Sequence, residues 1–559
     1  MNTQHLDGPL GYLALILFCL VLFLPGMTTL PPFDRDEARF AQASRQMLEE
    51  GDFIRIKFQE QDRHKKPVGI YWLQAASARI INPDALWPYR LPSVMGAVLA
   101  VLLTFSLARR AMEAKYAFLA AAMLAGSVLL VTEAHLAKTD AMLLASIAAI
   151  QVALAMCYIR KPETPAEPWL WLLFWGGMGG TILLKGPVGP MIAGVTLLTL
   201  FIADRHDPRR FSWLRGLRPG PGLLLTAAMV LPWLIAVSMA TDGSFVSDAV
   251  KGDLLPKLIS GHESHGAPPG MYLLLFTLTF WPASLLAWPA LVRTWKMRSA
   301  DPSNRLIRFL WAWIVPSWII FELVPTKLPH YVLPLYPAIA LLTALWLSGL
   351  AAQAEPGKYG RWIEKIGSGL WLAIGMILGL GLIVAPLYLD RSVSWWGLLA
   401  ALVALAMTYA GWRLYLEQKM LQVCSVLLLG AILIFPVLLG KGLPEMRAFW
   451  VSRTLQHTVD SLRQEHPDLQ GVIASTGFQE PSLVFLLGTN IRLISPAQAA
   501  HHLAEHPHGM ALVESRREAQ FHETLAELGL AAEPLANVRG FNYSKGQWVA
   551  IDIFANANR

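Results

Sequence analysis

Charge is scarce in this sequence. Only 15% of its residues are Asp, Glu, Lys or Arg, against 55% hydrophobic, and a soluble chain of 559 residues could not hide that much apolar surface. A soluble enzyme and a disordered chain are both excluded; the class is a polytopic membrane protein. Cysteine is nearly absent. Cys19, Cys157 and Cys424 all fall inside apolar runs, which argues against a disulfide framework and against a structural zinc cluster of cysteines. No Walker-A loop and no dinucleotide glycine pattern occurs, so nucleotide-powered chemistry is unsupported. The first apolar run lacks a basic flank and a small-x-small cleavage site and reads as an uncleaved anchor. The net charge of +7 makes no nucleic-acid surface, because the basic residues are scattered through short loops between apolar runs.

What is present is a series of apolar runs. At ~20 residues per crossing, candidate spans lie near 10–30, 91–108, 117–133, 141–159, 168–184, 187–203, 222–240, 271–292, 306–323, 331–350, 368–389, 396–412 and 420–440, thirteen in all. The 21 Trp cluster near the ends of these runs, as an interfacial belt requires. Basic residues follow every even-numbered run, among them Arg109, Arg160, Arg205, Arg293, Lys358 and Arg413. Those loops are read as cytoplasmic, and the odd-numbered exits as outer. The expected organisation is a membrane domain over residues 1–440, with a long outer loop at 31–90, followed by a polar outer domain at 441–559. In the latter, Val472–Ala474, Met510–Val513 and Trp548–Phe554 read as strands, and Ser452–Glu465, Pro496–Glu505 and Glu514–Leu528 as helices. That alternation predicts a small α/β domain.

Five outer segments carry chemistry. Asp34-Arg35-Asp36-Glu37-Ala38-Arg39-Phe40 opens an amphipathic helix at the membrane surface that Gly51 ends. Asp34 and Glu37 also have the spacing of a capping box, and Asp36 suits a first helical turn. Arg63-His64-Lys65-Lys66 precedes Tyr71-Trp72; such cations either grip a phosphate or attract headgroups. His135-Leu136-Ala137-Lys138-Thr139-Asp140 sits where Thr139 or Asp140 would cap a span. Gly261-His262-Glu263-Ser264-His265 matches no standard zinc spacing. Pro325-Thr326-Lys327-Leu328-Pro329-His330-Tyr331 places donors at the surface, and its prolines argue against one regular helix. All five fall on the outer side, so acids that can activate an acceptor share a face with cations that can hold a phosphate. The rival readings are a multi-span lipid or sugar transporter, which would place its charges near the midplane, and an assembly protein whose tail recruits a partner.

In order and sidedness these residues resemble the GT-C glycosyltransferases, in the bacterial branch near protein O-mannosyltransferases and lipid A aminoarabinose transferases. Asp36-Glu37-Ala38-Arg39-Phe40-Ala41, Lys66-Pro67 with Tyr71-Trp72, Asp140, Lys185-Gly186-Pro187, His265 before Ala267-Pro268, and Lys327-Leu328-Pro329 with Tyr331 carry the resemblance. It implies a helical membrane protein of the GT-C type that moves a sugar from a polyprenyl-phosphate donor to lipid A or another glycolipid or glycan acceptor. The enzyme would lie in the bacterial inner membrane with its site facing the periplasm. Asp36 would be the catalytic acid group, with Asp140 and Glu37 beside it. Lys66, Arg39, Lys65, Lys327, Tyr331 and His330 would bind donor phosphate, and a single displacement would invert the sugar. No cofactor is required, although His265 could contribute to a divalent metal site. One departure stands out. The aminoarabinose branch has an acid where this chain has Lys65, which reverses the local charge and weakens both that sugar and that metal site.

Overall fold

Inside a bilayer every backbone polar group must be satisfied within its own segment, so apolar runs become helices. The computed structural model describes all residues except 1–7, 162–163, 208–210, 255, 257–265, 299–303, 350–354 and 557–559. The first run forms α1 (Pro9–Phe23). The outer loop then holds α2 (Asp36–Glu50), a hairpin of β1 (Lys57–Phe58) and β2 (Gln61–Asp62), and α3 (Gly69–Ile81). The bundle continues through α4 (Trp87–Ala108), α5 (Ala114–Ala125), α6 (Val128–Ala134), α7 (Asp140–Ile159), α8 (Leu170–Lys185), α9 (Val188–Ala203) and α10 (Pro219–Ala240). Helices at Met271–Thr279, Ser284–Lys296, Arg305–Leu323, Tyr336–Leu347, Lys358–Leu389, Trp395–Leu416 and Met420–Val437 complete it.

Each of the thirteen apolar runs carries helix, some of it broken or short. Among the described residues, eight helices are long and apolar enough to span a membrane, or nine if α5 and α6, bent by 63°, are one span. Apolar counting does not see the breaks. Gly126-Ser127 divides α5 from α6, and residues 280–283 split the run at 271–292. Gly186, at φ +65°, turns the chain between the 16-residue helices α8 and α9. As their prolines predict, residues 329–335 form a 3₁₀ turn before the Tyr336 helix.

The two most enclosed candidate spans are α7 and the Pro329–Leu347 segment, 83% and 89% buried against 17% for α10. Their outer ends meet at the candidate site. α4 lies along α7, and α7 along α8. The α4–α7 approach depends on Gly96, where an added Cβ would stand 2.6 Å from the Met142 Cα and 2.7 Å from the Ala141 carbonyl.

α2 shows how the outer loop is held. Phe40, Ala43 and Met47 recur at helical spacing and bury against Ile70 and Tyr71 of α3. Gly51 ends the helix in the left-handed conformation, at φ +72°, and its N–H donates to Met47 O. The opposite face does not lie on a membrane surface. It is covered by the tail: Gln42 Nε2 donates to Thr489 Oγ1 at 2.7 Å and Arg45 to Phe485 O at 3.2 Å.

The tail folds as expected in kind. A helix at Val451–Glu465 leads into β3 (Ile473–Thr476), β4 (Arg492–Leu493), β5 (Met510–Glu514), β6 (Pro534–Asn542) and β7 (Gln547–Ala555), ordered β4-β3-β5-β7-β6. β3 pairs parallel with β4 and β5, and β7 antiparallel with β5 and β6. Leu455, Val459 and Leu512 fill one side of the sheet, and Leu503, Phe521 and Phe554 the other. The helix expected over 514–528 is shorter, Glu518–Glu527, after a 3₁₀ turn. The Pro481–Leu487 helix, β4 and β6 escape the sequence pattern: the first two are very short, and β6 is an edge strand with little alternation.

Gly96→Ala is expected to force α4 off α7 and to cost about 1–3 kcal/mol. It should lower the melting temperature in detergent, whereas Gly194→Ala, whose added Cβ meets nothing within 4 Å, should leave it unchanged.

Candidate active site

The C-terminal ends of α6 and α8, the N-terminal end of α7 with the loop before it, and the Pro329 turn bring five ionisable side chains into one buried array. Lys185 Nζ lies 2.5 Å from Asp140 Oδ1, and Lys138 Nζ lies 3.1 Å from Glu133 Oε1 and 3.9 Å from Asp140 Oδ2. His330 bridges the two acids, with Nδ1 3.6 Å from Glu133 Oε1 and Nε2 3.6 Å from Asp140 Oδ1. All but Lys185 are less than a tenth exposed. Lys185 Nζ also stands over the Tyr331 ring, 5.0 Å from its centroid. Asp140 makes no side-chain cap for α7, and neither does Thr139. Its carboxylate is spent on the lysines instead.

The first loop forms the other wall. Asp36 is half-buried at the start of α2, close enough for its charge to act on Lys138. Burial alone would favour neutral Lys138, but the carboxylates of Glu133, Asp140 and Asp36 hold its ammonium above the usual lysine range. Arg39 lies one turn after Asp36 and is half-buried, as is Lys66, whose charge reaches His330; Lys65 is exposed. Lys327 is buried, and its Nζ donates to Val324 O at 2.6 Å. The structure thus gathers Asp36, Lys66, Asp140, His330 and Tyr331 from four distant segments. His265 lies outside the described residues.

Glu37 is placed differently. Its side chain is fully enclosed and engages Arg90, with Nε to Oε1 at 2.8 Å and Nη2 to Oε2 at 3.0 Å. It also accepts from the N–H groups of Phe33 at 2.8 Å and Ala137 at 2.9 Å. Arg90 directs its remaining donors at the carbonyls of Met27, Leu30 and Pro31. The capping box suggested by Asp34 and Glu37 does not form: the residue before α2 is Arg35, at φ +67°, with no side-chain cap. Asp34 turns to the tail, where its Oδ1 accepts from Ser482 N at 3.3 Å and its own N–H donates to Tyr543 Oη at 2.6 Å.

Glu133, Lys138 and Arg90 were not singled out from sequence. Glu133 did leave a signal, an acid inside an apolar run, which is a costly placement that marks function. Lys138 lies two residues before Asp140. Arg90 had no signal beyond a cation at the edge of a span.

The donor set bears on metal binding. Ligand atoms of Glu133, Asp140 and His330 lie within 4.8 Å of one another. Two ammonium groups already sit against the same two carboxylates, so with a neutral imidazole the array balances without an ion. A divalent cation would add two positive charges to a buried, neutral cluster. Among the described residues, these three do not fit a resident divalent metal while both lysines hold the carboxylates.

Residues 65–236 match the family model described as dolichyl-phosphate-mannose-protein mannosyltransferase. The chain is 27% identical over 442 residues to the undecaprenyl phosphate-alpha-4-amino-4-deoxy-L-arabinose arabinosyl transferase of Pectobacterium atrosepticum, covering 77% of this chain and 75% of that one. The same enzyme from Aeromonas salmonicida is 25% identical over 437 residues, 77% and 76% of the two chains. The crystal structure of ArnT from Cupriavidus metallidurans bound to undecaprenyl phosphate superposes with a TM-score of 0.73 over 98% of both chains, at 18% identity. The chain has the GT-C fold, and the resemblance to polyprenyl-phosphate-dependent glycosyltransferases is borne out. It is a multi-pass membrane protein.

Asp34 should make tail docking sensitive to pH. Burial first, and the charge of Glu480 second, raise its pKa from 3.8 to about 7. A group raised in the folded state stabilises fully below its unfolded pKa and loses that contribution as pH rises through the folded one. Wild type should therefore lose thermal stability between pH 4 and pH 7 from this group. Asp34→Asn, which still accepts from Ser482, should flatten that part of the profile; a parallel profile in the variant would refute the assignment.

Proposed function

We propose that the chain transfers a sugar from a polyprenyl-phosphate donor, of the undecaprenyl class, to an acceptor on lipid A or another envelope glycolipid. The observation that carries this reading is the convergence of one half-buried carboxylate, Asp36, with Lys66 and the Lys138–Asp140–Lys185–His330–Tyr331 array in a GT-C fold. Charges gathered at one end of the bundle, beneath a tail domain, favour surface chemistry over a midplane transport site.

Each group has a role set by its position. Asp36 lies on the first turn of α2, within electrostatic reach of Lys138 but outside the paired array. It is the group that orients the acceptor hydroxyl or phosphate and takes its proton. Lys66 and Arg39 hold the donor phosphate and stabilise the charge that develops on it as the glycosidic bond breaks. Lys185, pinned by Asp140 and backed by the Tyr331 ring, presents a cation of fixed position to the same phosphate. Glu133, Asp140 and His330 set that position. A single in-line displacement inverts the anomeric centre. Lys66 and Arg39, which lie outside the paired array, supply the positive charge that a metal would otherwise bring, so the reaction needs no cofactor. The enzyme sits in a bacterial inner membrane with this site toward the periplasm.

The test is transfer by the purified, reconstituted protein from an undecaprenyl-phosphate-linked sugar, together with mass spectrometry of envelope lipids from complemented deletion cells. Asp36→Asn should lower kcat by about 10²–10⁴ with donor KM little changed, and Lys66→Met should raise donor KM. A mass increment on envelope lipids should appear with wild type and vanish with Asp36→Asn. Full activity in Asp36→Asn would sink the mechanism, and identical lipid profiles with and without the gene would remove the lipid acceptor.

A further inference from the structure

A polar cavity lies away from the array, where the tail leaves the bundle. Its volume is about 830 Å³, within the range of small-molecule sites. It opens between the end of the Lys358–Leu389 helix, the turn at 390–394, residues 444–447, and one side of the Val451–Glu465 helix. Residues spaced by four along that helix, Trp450, Thr454 and Thr458 in one row and Arg453, His457 and Ser461 in the next, face it. It shares no residue with the catalytic array.

Two features define what it would take. The first is depth. Val393 in its lining is 57% exposed, and Tyr388 and Trp395, within two residues of the lining residues Asp390 and Ser394, are 60% and 75% exposed, at the ends of two apolar helices where interfacial aromatics belong. The mouth is therefore at headgroup level. The second is charge of both signs. Arg447 and Arg453 line the cavity together with Asp390 and Glu445. Arg453 is fixed by its bond to Thr29 O at 2.9 Å, and Asp390 by accepting from Ala448 N at 2.7 Å. A simple anion would meet the carboxylates as well as the guanidinium groups. A group carrying both a phosphate and a primary ammonium satisfies both, since guanidinium pairs with phosphate and an ammonium offers three donors to carboxylates and hydroxyls. The geometry points to a binding site for the headgroup of a phosphoethanolamine-class membrane lipid. An occupant would press on the first loop, because Trp450 in the cavity wall meets the Phe33 ring edge-on at 4.9 Å and Phe33 N–H donates to Glu37. The assignment stands independently of the transferase reading.

The test uses the full-length protein in phosphatidylcholine nanodiscs with trace photoactivatable phosphatidylethanolamine, the cross-links being mapped by mass spectrometry. Labelling is expected at residues 386–394 and 444–461. Unlabelled phosphatidylethanolamine should compete, and phosphatidylglycerol should not. The exposed pair Glu445→Gln and Arg447→Gln, which disturbs no buried contact, should lower labelling about tenfold. Equal competition by phosphatidylglycerol would overturn the ammonium half of the assignment. Competition by soluble phosphoethanolamine as strong as by the lipid would overturn the membrane source. Unchanged labelling in the double variant would overturn the site.

Discussion

A buried guanidinium cannot turn to water, so its five donors must all find acceptors in the protein. Arg90 meets that demand with two bonds to Glu37 and three to the carbonyls of Met27, Leu30 and Pro31. Glu37 in turn accepts from Phe33 and Ala137. One ion pair thus ties the chain leaving α1, the start of α2, the outer end of α4 and the loop before α7. Breaking such a pair by removing one partner costs about 3–5 kcal/mol, so the four segments move together or not at all. Asp36 is the neighbour of Glu37, and Lys138 the neighbour of Ala137. The lock that holds the bonded residues holds the reactive ones beside them at a fixed separation.

The array behind that lock follows a second constraint. Acids and lysines inside an apolar bundle are tolerated when paired, and here two carboxylates meet two ammonium groups, with Glu133 Oε2 left without a hydrogen-bond partner among the described residues. Asp140 is shared among Lys185, Lys138 and His330, and Glu133 between Lys138 and His330. Cations held by several partners do not reorganise when charge develops nearby, which is what makes fixed dipoles and charges effective in catalysis. Arg39 and Lys66 are less buried than this array, and the charge of Lys66 reaches His330 within it.

Much of this was legible in the sequence. The apolar runs gave the helices because lipid leaves the backbone no alternative, and the order of the loop motifs was enough to suggest that Asp36, Lys66, Asp140 and His330 belong together. What was not legible were relations at a distance. Local spacing made Asp34 and Glu37 a capping box, yet the tail captures the first and Arg90 the second. A cap is worth about 1 kcal/mol, and a buried guanidinium without a partner costs several times more, so tertiary demand wins. Asp140 likewise looked like a helix cap because its three partners come from elsewhere in the chain. The breaks were not legible either, because a glycine or a short kink interrupts an apolar run without changing its hydropathy.

Four consecutive residues show why the tail belongs to the site and is not a separate module. Asp34 bonds Ser482 and Tyr543, and Arg35 bonds the Ser544 carbonyl. Asp36 faces Lys138, and Glu37 anchors to Arg90. Arg35 adopts φ +67°, a conformation uncommon for a residue with a Cβ, and that twist sends neighbouring side chains in opposite directions. The bundle fixes the chain after Arg35 through Glu37, and the tail fixes it before through Asp34. The position of Asp36 is therefore set from two sides. The tail contributes no side chain to the array, yet it helps determine where the Asp36 carboxylate stands.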